Sequence, residues 1–112
     1  MKKIAVIFGT RPDTIKMAPI IKELERQSEH FKLITIATAQ HRQMLDQVLD
    51  VFKIKPDYDL NIMKPSQTLA TITKNTIEEL DIIFEKEKPD LVLVQGDTTT
   101  TFVGSLAAFY RQ

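Results

Sequence analysis

Four short segments with the pattern of strands alternate along the chain with longer segments of helical periodicity. Residues 4–8, 31–38 and 91–94 are mostly apolar runs, and residues 57–63 alternate apolar and polar side chains. Such runs are typical of buried strands, whereas the segments between them follow one face of a helix, as in Met17, Ile20, Ile21 and Leu24. Alternating strands and helices favour parallel pairing through right-handed crossovers. The sequence therefore predicts an α/β fold, a doubly wound parallel sheet of Rossmann-like type with strand order 3-2-1-4.

Capping residues and periodicity also predict details of the helices. Pro19 lies inside the first helical segment, so a kink or a new first turn near Ala18 is expected. Ser66 is the expected N-cap of a long helix. The buried stripe predicted for that helix is Leu69, Ile72, Thr76, Leu80 and Ile83. The apolar side predicted for the last helix is Phe102, Val103, Leu106 and Phe109.

Composition excludes several classes of protein. The 112 residues are 43% hydrophobic and 27% charged, as in an ordinary globular domain. Equal numbers of basic and acidic residues, 15 each, argue against general nucleic-acid binding. The first apolar run ends at Gly9 after five residues, too short for a signal peptide or a membrane span, so a cytoplasmic location is expected. Without cysteines, and with His30 and His41 far apart in sequence, the chain is expected to bind no metal.

The loops that leave strands 1 and 4 are the predicted ligand site. In a sheet of this order the two loops part at the carboxyl edge and form a crevice. The first loop, GTRPDTIK, carries Arg11 and Lys16 at a helix N-terminus, where a bound phosphate or carboxylate would offset their unfavourable position. Solvated cations are the alternative, and Asp13 is interpreted as a cap paired with Thr10. The dinucleotide and Walker motifs are absent, so NAD and ATP are poor candidates.

The second loop follows the run LVLVQGDTTTTF. Asp97 is either the cap of the last helix or a carboxylate that acts as an acid or base in the crevice. The four threonines 98–101 fill a first helical turn, for which threonine has little preference, so their hydroxyls serve as caps or as ligand contacts. After strand 2, the segment TAQHRQML places polar side chains at the same edge. These are either an ordinary connection or a site for sugar hydroxyls or phosphate.

Five sequence blocks, in a fixed order over essentially the whole chain, carry a family resemblance. They are FGTRPDTIKMAP, TAQHRQMLDQVL, DYDLNIM, LVLVQGDTTTTF and SLAAFY. Together they resemble the N-terminal part of the non-hydrolysing UDP-N-acetylglucosamine 2-epimerases. The resemblance implies a two-domain GT-B fold and reversible conversion of UDP-GlcNAc to UDP-ManNAc, a precursor of cell-wall and capsular polysaccharides. It also implies elimination and re-addition of UDP without a redox cofactor.

Residue roles follow from the matched blocks. The resemblance implies a catalytic role for Asp97, which is the acid of the family's GDTTT block. It implies contacts with the nucleotide sugar for Arg11, Lys16 and Thr98. The residues that match the family's allosteric site for a second UDP-GlcNAc are Gln40, His41, Gln43 and Gln67. The chain departs from the family at Asp13, usually Glu, at Gln95, commonly His, and at Ser66, which is arginine in some regulated members.

The resemblance implies further expectations about the whole protein. Residues 1–112 would be an incomplete N-terminal Rossmann-like domain, inactive alone, and the C-terminal domain would belong to a full-length parent that forms a homodimer. No nucleic-acid or membrane partner is expected. The apolar strand 91–94 would be an unprotected edge, so the isolated chain is expected to self-associate. Two alternatives stay open: another GT-B nucleotide-sugar enzyme, or a flavodoxin-like binding module.

Overall fold

A computed structural model describes residues 2–9, 11–38, 47, 49–60, 68–95 and 99–111. Strands and helices alternate along this part of the chain, and residues 49–52 are also helical. The elements are β1 (Lys2–Phe8), α1 (Arg11–Arg26), β2 (Phe31–Ala37), β3 (Tyr58–Asp59), α2 (Leu69–Glu87), β4 (Leu91–Leu93) and α3 (Thr99–Arg111). No helix among these residues is long and apolar enough to cross a membrane.

The four strands form one parallel sheet in the order β3-β2-β1-β4. β1 pairs with β2 along its whole length, from Lys2 beside Phe31 to Phe8 beside Ala37. On its other side, β1 pairs with β4 in the register of Ile4 beside Leu91. The strand order predicted from the sequence is therefore confirmed.

β1 is the centre of the molecule because its side chains are buried on both faces of the sheet. The alternate residues Ile4, Val6 and Phe8 pack against α1, where Met17, Ala18 and Ile21 are buried. Ala5 and Ile7 point to the opposite face and pack against α2 and α3. This second cluster is completed by Ile34, Ile36, Leu80, Ile83, Phe84, Val103 and Ala107. Two apolar layers thus enclose a strand that reads as continuously apolar, as expected for a parallel sheet.

Pro19 does not interrupt the first helix. α1 runs from Arg11 to Arg26 with Pro19 inside it, so of the two predicted alternatives the new first turn near Ala18 is wrong, and the kink at Pro19 stays a prediction. A proline has no N–H to donate to the carbonyl four residues earlier, here that of Ile15. Pro19 and Ile15 are both exposed, so water can satisfy this carbonyl on the outer side of the helix.

The start of α2 also differs from the prediction. The N-cap is Thr68 rather than Ser66, because the Thr68 hydroxyl accepts a hydrogen bond from the Thr71 N–H at 3.1 Å. Leu69, the first helical residue, is 70% exposed, so its place in the predicted stripe is wrong. The other stripe residues are buried together with Phe84: Ile72, Thr76, Leu80 and Ile83. The Thr76 hydroxyl is satisfied inside the helix by the Ile72 carbonyl at 2.7 Å.

α3 faces the sheet with its small residues rather than with its phenylalanines. Val103 and Ala107 are buried, whereas Phe102 is 61% and Phe109 67% exposed, so the predicted apolar side is wrong for both phenylalanines. Gly104 explains the choice of face. A Cβ at this position would lie 2.9 Å from Val94 Cγ1 and 3.1 Å from Ile7 Cδ1. The helix approaches the sheet so closely that only small residues fit there.

Gly104→Ala is expected to lower the free energy of unfolding by about 1 kcal/mol. Overpacking lowers the free energy of unfolding by roughly 1–3 kcal/mol, and the better helix propensity of alanine raises it by about 1 kcal/mol. Urea unfolding of the chain measures the change. Ser105→Ala is the matched control, because Ser105 is exposed on the same helix. Stabilisation by Gly104→Ala would show that the helix is not in close contact with Val94.

A polar cluster joins three elements at the amino edge of the sheet. Glu87, at the end of α2, accepts a hydrogen bond from the Tyr58 hydroxyl of β3. The Lys3 ammonium group of β1 donates to the Glu87 carbonyl at 2.7 Å and lies 3.4 Å from its carboxylate. The Tyr58 hydroxyl, followed by Lys3, holds the pKa of the Glu87 carboxyl below its usual value, although partial burial opposes the shift. The carboxylate form is therefore bound more tightly in the folded chain than in the unfolded chain.

This lowered pKa predicts an acid-sensitive contribution to stability. The contribution is complete above the pKa of an unfolded glutamate, about 4.3, and is lost as the pH falls through the lower folded pKa of Glu87. Tyr58→Phe is expected to weaken this acid dependence and to cost about 1 kcal/mol at neutral pH. The ring of phenylalanine keeps the contact with Lys86 Nζ, which lies 5.8 Å from the ring centroid.

Chemical unfolding between pH 3 and 7 tests this prediction. Tyr110→Phe is the matched control, because Tyr110 is 64% exposed on α3 and its ring lies beside that of Phe109. Identical pH profiles for Tyr58→Phe and the unsubstituted chain would contradict the assigned role of the Tyr58 hydroxyl.

Candidate functional site

The carboxyl ends of β1, β2 and β4 lie at one edge of the sheet because the strands are parallel. At this edge, β1 leads into α1 on one face of the sheet. Its neighbour β4 leads into α3 on the opposite face. Two adjacent strands whose following helices leave on opposite faces form a topological switch point, where doubly wound folds bind ligands. The switch point at which the sequence predicts the crevice is therefore present in the fold, and the crevice itself stays a prediction.

The N-terminus of α1 lies at this switch point. The helix begins at Arg11, two residues after the buried Gly9, and Pro12 occupies its second position. The first turn of a helix leaves N–H groups free and carries a partial positive charge, which suits an anion. Lys16 is exposed on the same helix. Arg11 and Lys16 thus lie on the helix that begins at the switch point, and the Arg11 side chain is outside the part of the chain that the structure describes.

Two buried threonines lie beside the carboxyl ends of the central strands. Thr38 follows β2 directly, and its N–H donates to the Phe8 carbonyl at the end of β1 at 2.9 Å. Thr14 lies one turn into α1 and is fully buried, as is Thr38. Thr14 was not predicted to be buried against the sheet. Its spacing from Met17, Ala18 and Ile21 is the helical pattern that could have identified it.

Most of the predicted site residues lie outside the part of the chain that the structure describes. Asp97 and Thr98 belong to the connection between β4 and α3. The remaining ones belong to the connections that follow β2 and β3: Gln40, His41, Gln43 and Gln67. Their catalytic, substrate-binding and allosteric roles stay predictions. The described residues contain no group of three His, Cys, Asp or Glu side chains arranged to hold a metal ion.

Comparison with known proteins decides the family. The family model for UDP-N-acetylglucosamine 2-epimerase matches residues 22–112. The chain belongs to this family. The resemblance carried by the five sequence blocks is therefore confirmed, as is the α/β fold class, which corresponds to the N-terminal part of these GT-B epimerases.

Relatives of the chain include characterised and solved epimerases. The UDP-N-acetylglucosamine 2-epimerase of Bacillus subtilis is 64% identical and is matched by the whole chain, which covers 30% of that relative. The S. aureus MnaA structure with UDP has a TM-score of 0.92 and 60% identity, over 100% of this chain and 29% of that one. The Neisseria meningitidis epimerase bound to UDP-GlcNAc has a TM-score of 0.91 and 59% identity, and the match covers 97% of this chain and 29% of that one. This member of the epimerase family thus spans about 30% of the length of its curated relatives.

Proposed function

We propose that the chain is the N-terminal part of an enzyme that interconverts UDP-GlcNAc and UDP-ManNAc. One observation carries the proposal: the whole chain matches, at a TM-score of 0.92, the S. aureus MnaA structure that contains UDP. A relative bound to UDP-GlcNAc matches over 97% of the chain at 0.91. The crevice between β1 and β4 supports a nucleotide-sugar site, because the cationic α1 N-terminus borders it and suits a diphosphate.

The proposed reaction is a net isomerisation that needs no oxidant. The proton leaves C2 of the sugar and the bond from C1 to the UDP oxygen breaks, which gives 2-acetamidoglucal and UDP. UDP then adds back at C1 while a proton is delivered to the opposite face of C2. Asp97 takes part in the proton transfer, and the cations Arg11 and Lys16, together with Thr98, hold the substrate. No cofactor and no metal ion is required.

The remaining assignments concern the whole protein. Residues 1–112 form an incomplete N-terminal Rossmann-like domain, and a C-terminal domain supplies the other catalytic groups, so the segment alone is inactive. The complete enzyme is a cytoplasmic homodimer that provides precursor for cell-wall or capsular polysaccharide. The residues assigned to a second, regulatory UDP-GlcNAc are Gln40, His41, Gln43 and Gln67. Nucleic acids and membranes are not partners.

A chimera tests the proposal. Residues 1–112 replace the matched N-terminal segment of the Bacillus subtilis relative, which is 64% identical, and the product is incubated with UDP-GlcNAc in heavy water. Proton NMR is expected to show UDP-ManNAc with deuterium at C2. The unaltered Bacillus protein is the control for the assay. A folded chimera that binds UDP yet forms no UDP-ManNAc would contradict the proposed activity, and one that does not bind UDP would contradict the proposed site as well.

A further inference from the structure

The buried polar side chains among the residues that the structure describes are all threonines: Thr14, Thr35, Thr38 and Thr76. A buried hydroxyl needs a hydrogen-bond partner, because an unsatisfied one lowers the free energy of unfolding. Valine is similar in size and has no such requirement, so a buried threonine indicates that its hydroxyl has a task. The place of each threonine in the fold indicates which task that is.

Two of these threonines hold secondary structure in place. The Thr76 hydroxyl donates to the Ile72 carbonyl inside α2 at 2.7 Å. The Thr35 hydroxyl joins β2 to Asp57, because it donates to the carboxylate at 3.2 Å and accepts from the N–H at 3.0 Å. A third, Thr14, lies within α1, where a hydroxyl commonly bonds a carbonyl of the preceding turn.

Thr38 differs from the other three because it lies outside the helices and strands, directly after β2 at the carboxyl edge of the sheet. Its exposure is 0%. Its N–H donates to the Phe8 carbonyl at 2.9 Å, which continues the pairing of β1 and β2 one residue beyond Ala37. The Ala37 carbonyl accepts from the Leu60 N–H at 2.8 Å. Thr38 therefore lies where the ends of β1, β2 and β3 are tied together.

The Phe8 carbonyl is also where the path from β1 to the N-terminus of α1 begins. The buried Gly9 follows, and α1 starts at Arg11. The first turn of that helix presents free N–H groups and a partial positive charge at the switch point. A shift of Thr38 would displace the end of β1 and, with it, the helix terminus to which the proposed function assigns the diphosphate.

We propose that Thr38 is a positioning residue for nucleotide binding. Its buried hydroxyl fixes the Thr38 backbone against the Phe8 carbonyl, and this contact holds the N-terminus of α1 in place for the diphosphate. Thr38 itself does not touch the nucleotide and takes no part in the proton transfer at C2. The inference rests on the proposed function, because it concerns the same diphosphate.

Calorimetric titration of the chimera with UDP tests the inference. Thr38→Val, which lacks the hydroxyl at similar size, is expected to raise the dissociation constant for UDP by about three- to tenfold, as for the loss of one neutral hydrogen bond. Thr38→Ser restores the hydroxyl and is expected to bind UDP as tightly as the unsubstituted chimera. With UDP-GlcNAc as substrate, Thr38→Val is expected to raise KM and to leave kcat unchanged, because only binding is affected.

Thr35→Val and Thr76→Val are the matched controls, because each removes a buried threonine hydroxyl that is bonded elsewhere. Both are expected to lower the midpoint of urea unfolding and to leave the affinity for UDP unchanged. Thr38→Ser is also expected to lower that midpoint, because loss of the methyl group leaves a cavity. Circular dichroism of each variant establishes that it is folded. Thr38→Ala removes the same hydroxyl and takes the place of Thr38→Val if the valine variant does not fold.

Equal affinities of Thr38→Val and the unsubstituted chimera for UDP would overturn the inference and leave the proposed function standing. An equally large loss of affinity in Thr38→Ser would overturn it as well, and so would such a loss in Thr35→Val and Thr76→Val, because the effect would then not belong to the Thr38 hydroxyl. An unsubstituted chimera that does not bind UDP would contradict the proposed site, and this inference would be wrong with it.

Discussion

Asp97→Asn in the chimera is expected to slow the conversion of UDP-GlcNAc to UDP-ManNAc by about 10²- to 10⁴-fold while UDP still binds. This is the usual contribution of a positioned acid or base, and an amide can neither accept nor release the proton at C2. The substitution keeps the size and the hydrogen-bonding oxygen of the side chain, so a capping role for Asp97 would survive it. The measurement is the initial rate of UDP-ManNAc formation, followed with the rate of deuterium incorporation at C2.

Asp50→Asn is the matched control for this experiment, because Asp50 is exposed near the end of a helical segment away from the crevice. It is expected to leave both rates unchanged. If Asp97→Asn epimerises normally, the carboxylate caps the helix and the proton is transferred by another group. Loss of UDP binding along with the rate would instead assign Asp97 to the binding of the nucleotide.

Arg11→Ala and Lys16→Ala are each expected to weaken UDP binding to the chimera by roughly 10- to 150-fold. Each substitution removes a charge-assisted hydrogen bond to the diphosphate, worth about 1.5–3 kcal/mol. Calorimetric titration with UDP measures the dissociation constant. Since both contacts are ionic, the dissociation constants of each variant and of the unsubstituted chimera for UDP are expected to differ less at high salt.

Lys22→Ala is the control for the loss of a cation from the same helix. Lys22 lies further along α1, where its ammonium group donates to the Lys53 carbonyl at 3.1 Å and lies 3.7 Å from Glu25. Its removal is expected to leave the affinity for UDP unchanged. Equal affinities for all four proteins would show that the cations of α1 are solvated and do not contact the diphosphate.

The sheet could be predicted from the sequence because each of its strands is marked by a short local pattern of residues. β1 reads as an apolar run bounded by Gly9, and the alternation of such runs with helical segments limits the strand order. The position of the crevice follows from that order alone. Arg11 and Lys16 are predicted to lie there because they follow the first strand directly in the sequence, and their role stays a prediction.

The faces of the helices were harder to predict because they depend on distances between elements. Periodicity identifies an apolar stripe on α3, but the close approach at Gly104 decides that Val103 and Ala107 face the sheet and Phe109 does not. The polar cluster at the amino edge of the sheet was equally hard to predict, because it also depends on contacts between distant elements. Lys3 and Glu87 are 84 residues apart, and no sequence pattern predicts that pairing. The roles of all the candidate site residues stay predictions, and apart from Lys16 their side chains lie outside the part of the chain that the structure describes.

The central position of β1 has a consequence for the order of events during synthesis. β1 is made before the other three strands of this sheet, yet one of its two neighbours is β4, and the Lys3 N–H donates to the Asp90 carboxylate across 87 residues of sequence. At about 5–20 residues per second, a ribosome needs roughly 4 to 18 s to make that intervening chain. Until β4 is made, β1, which is buried on both faces in the folded chain, has one unpaired edge. Of the four strands, the one that is made first thus remains longest without one of its partners, and during that time its open edge can pair with another chain.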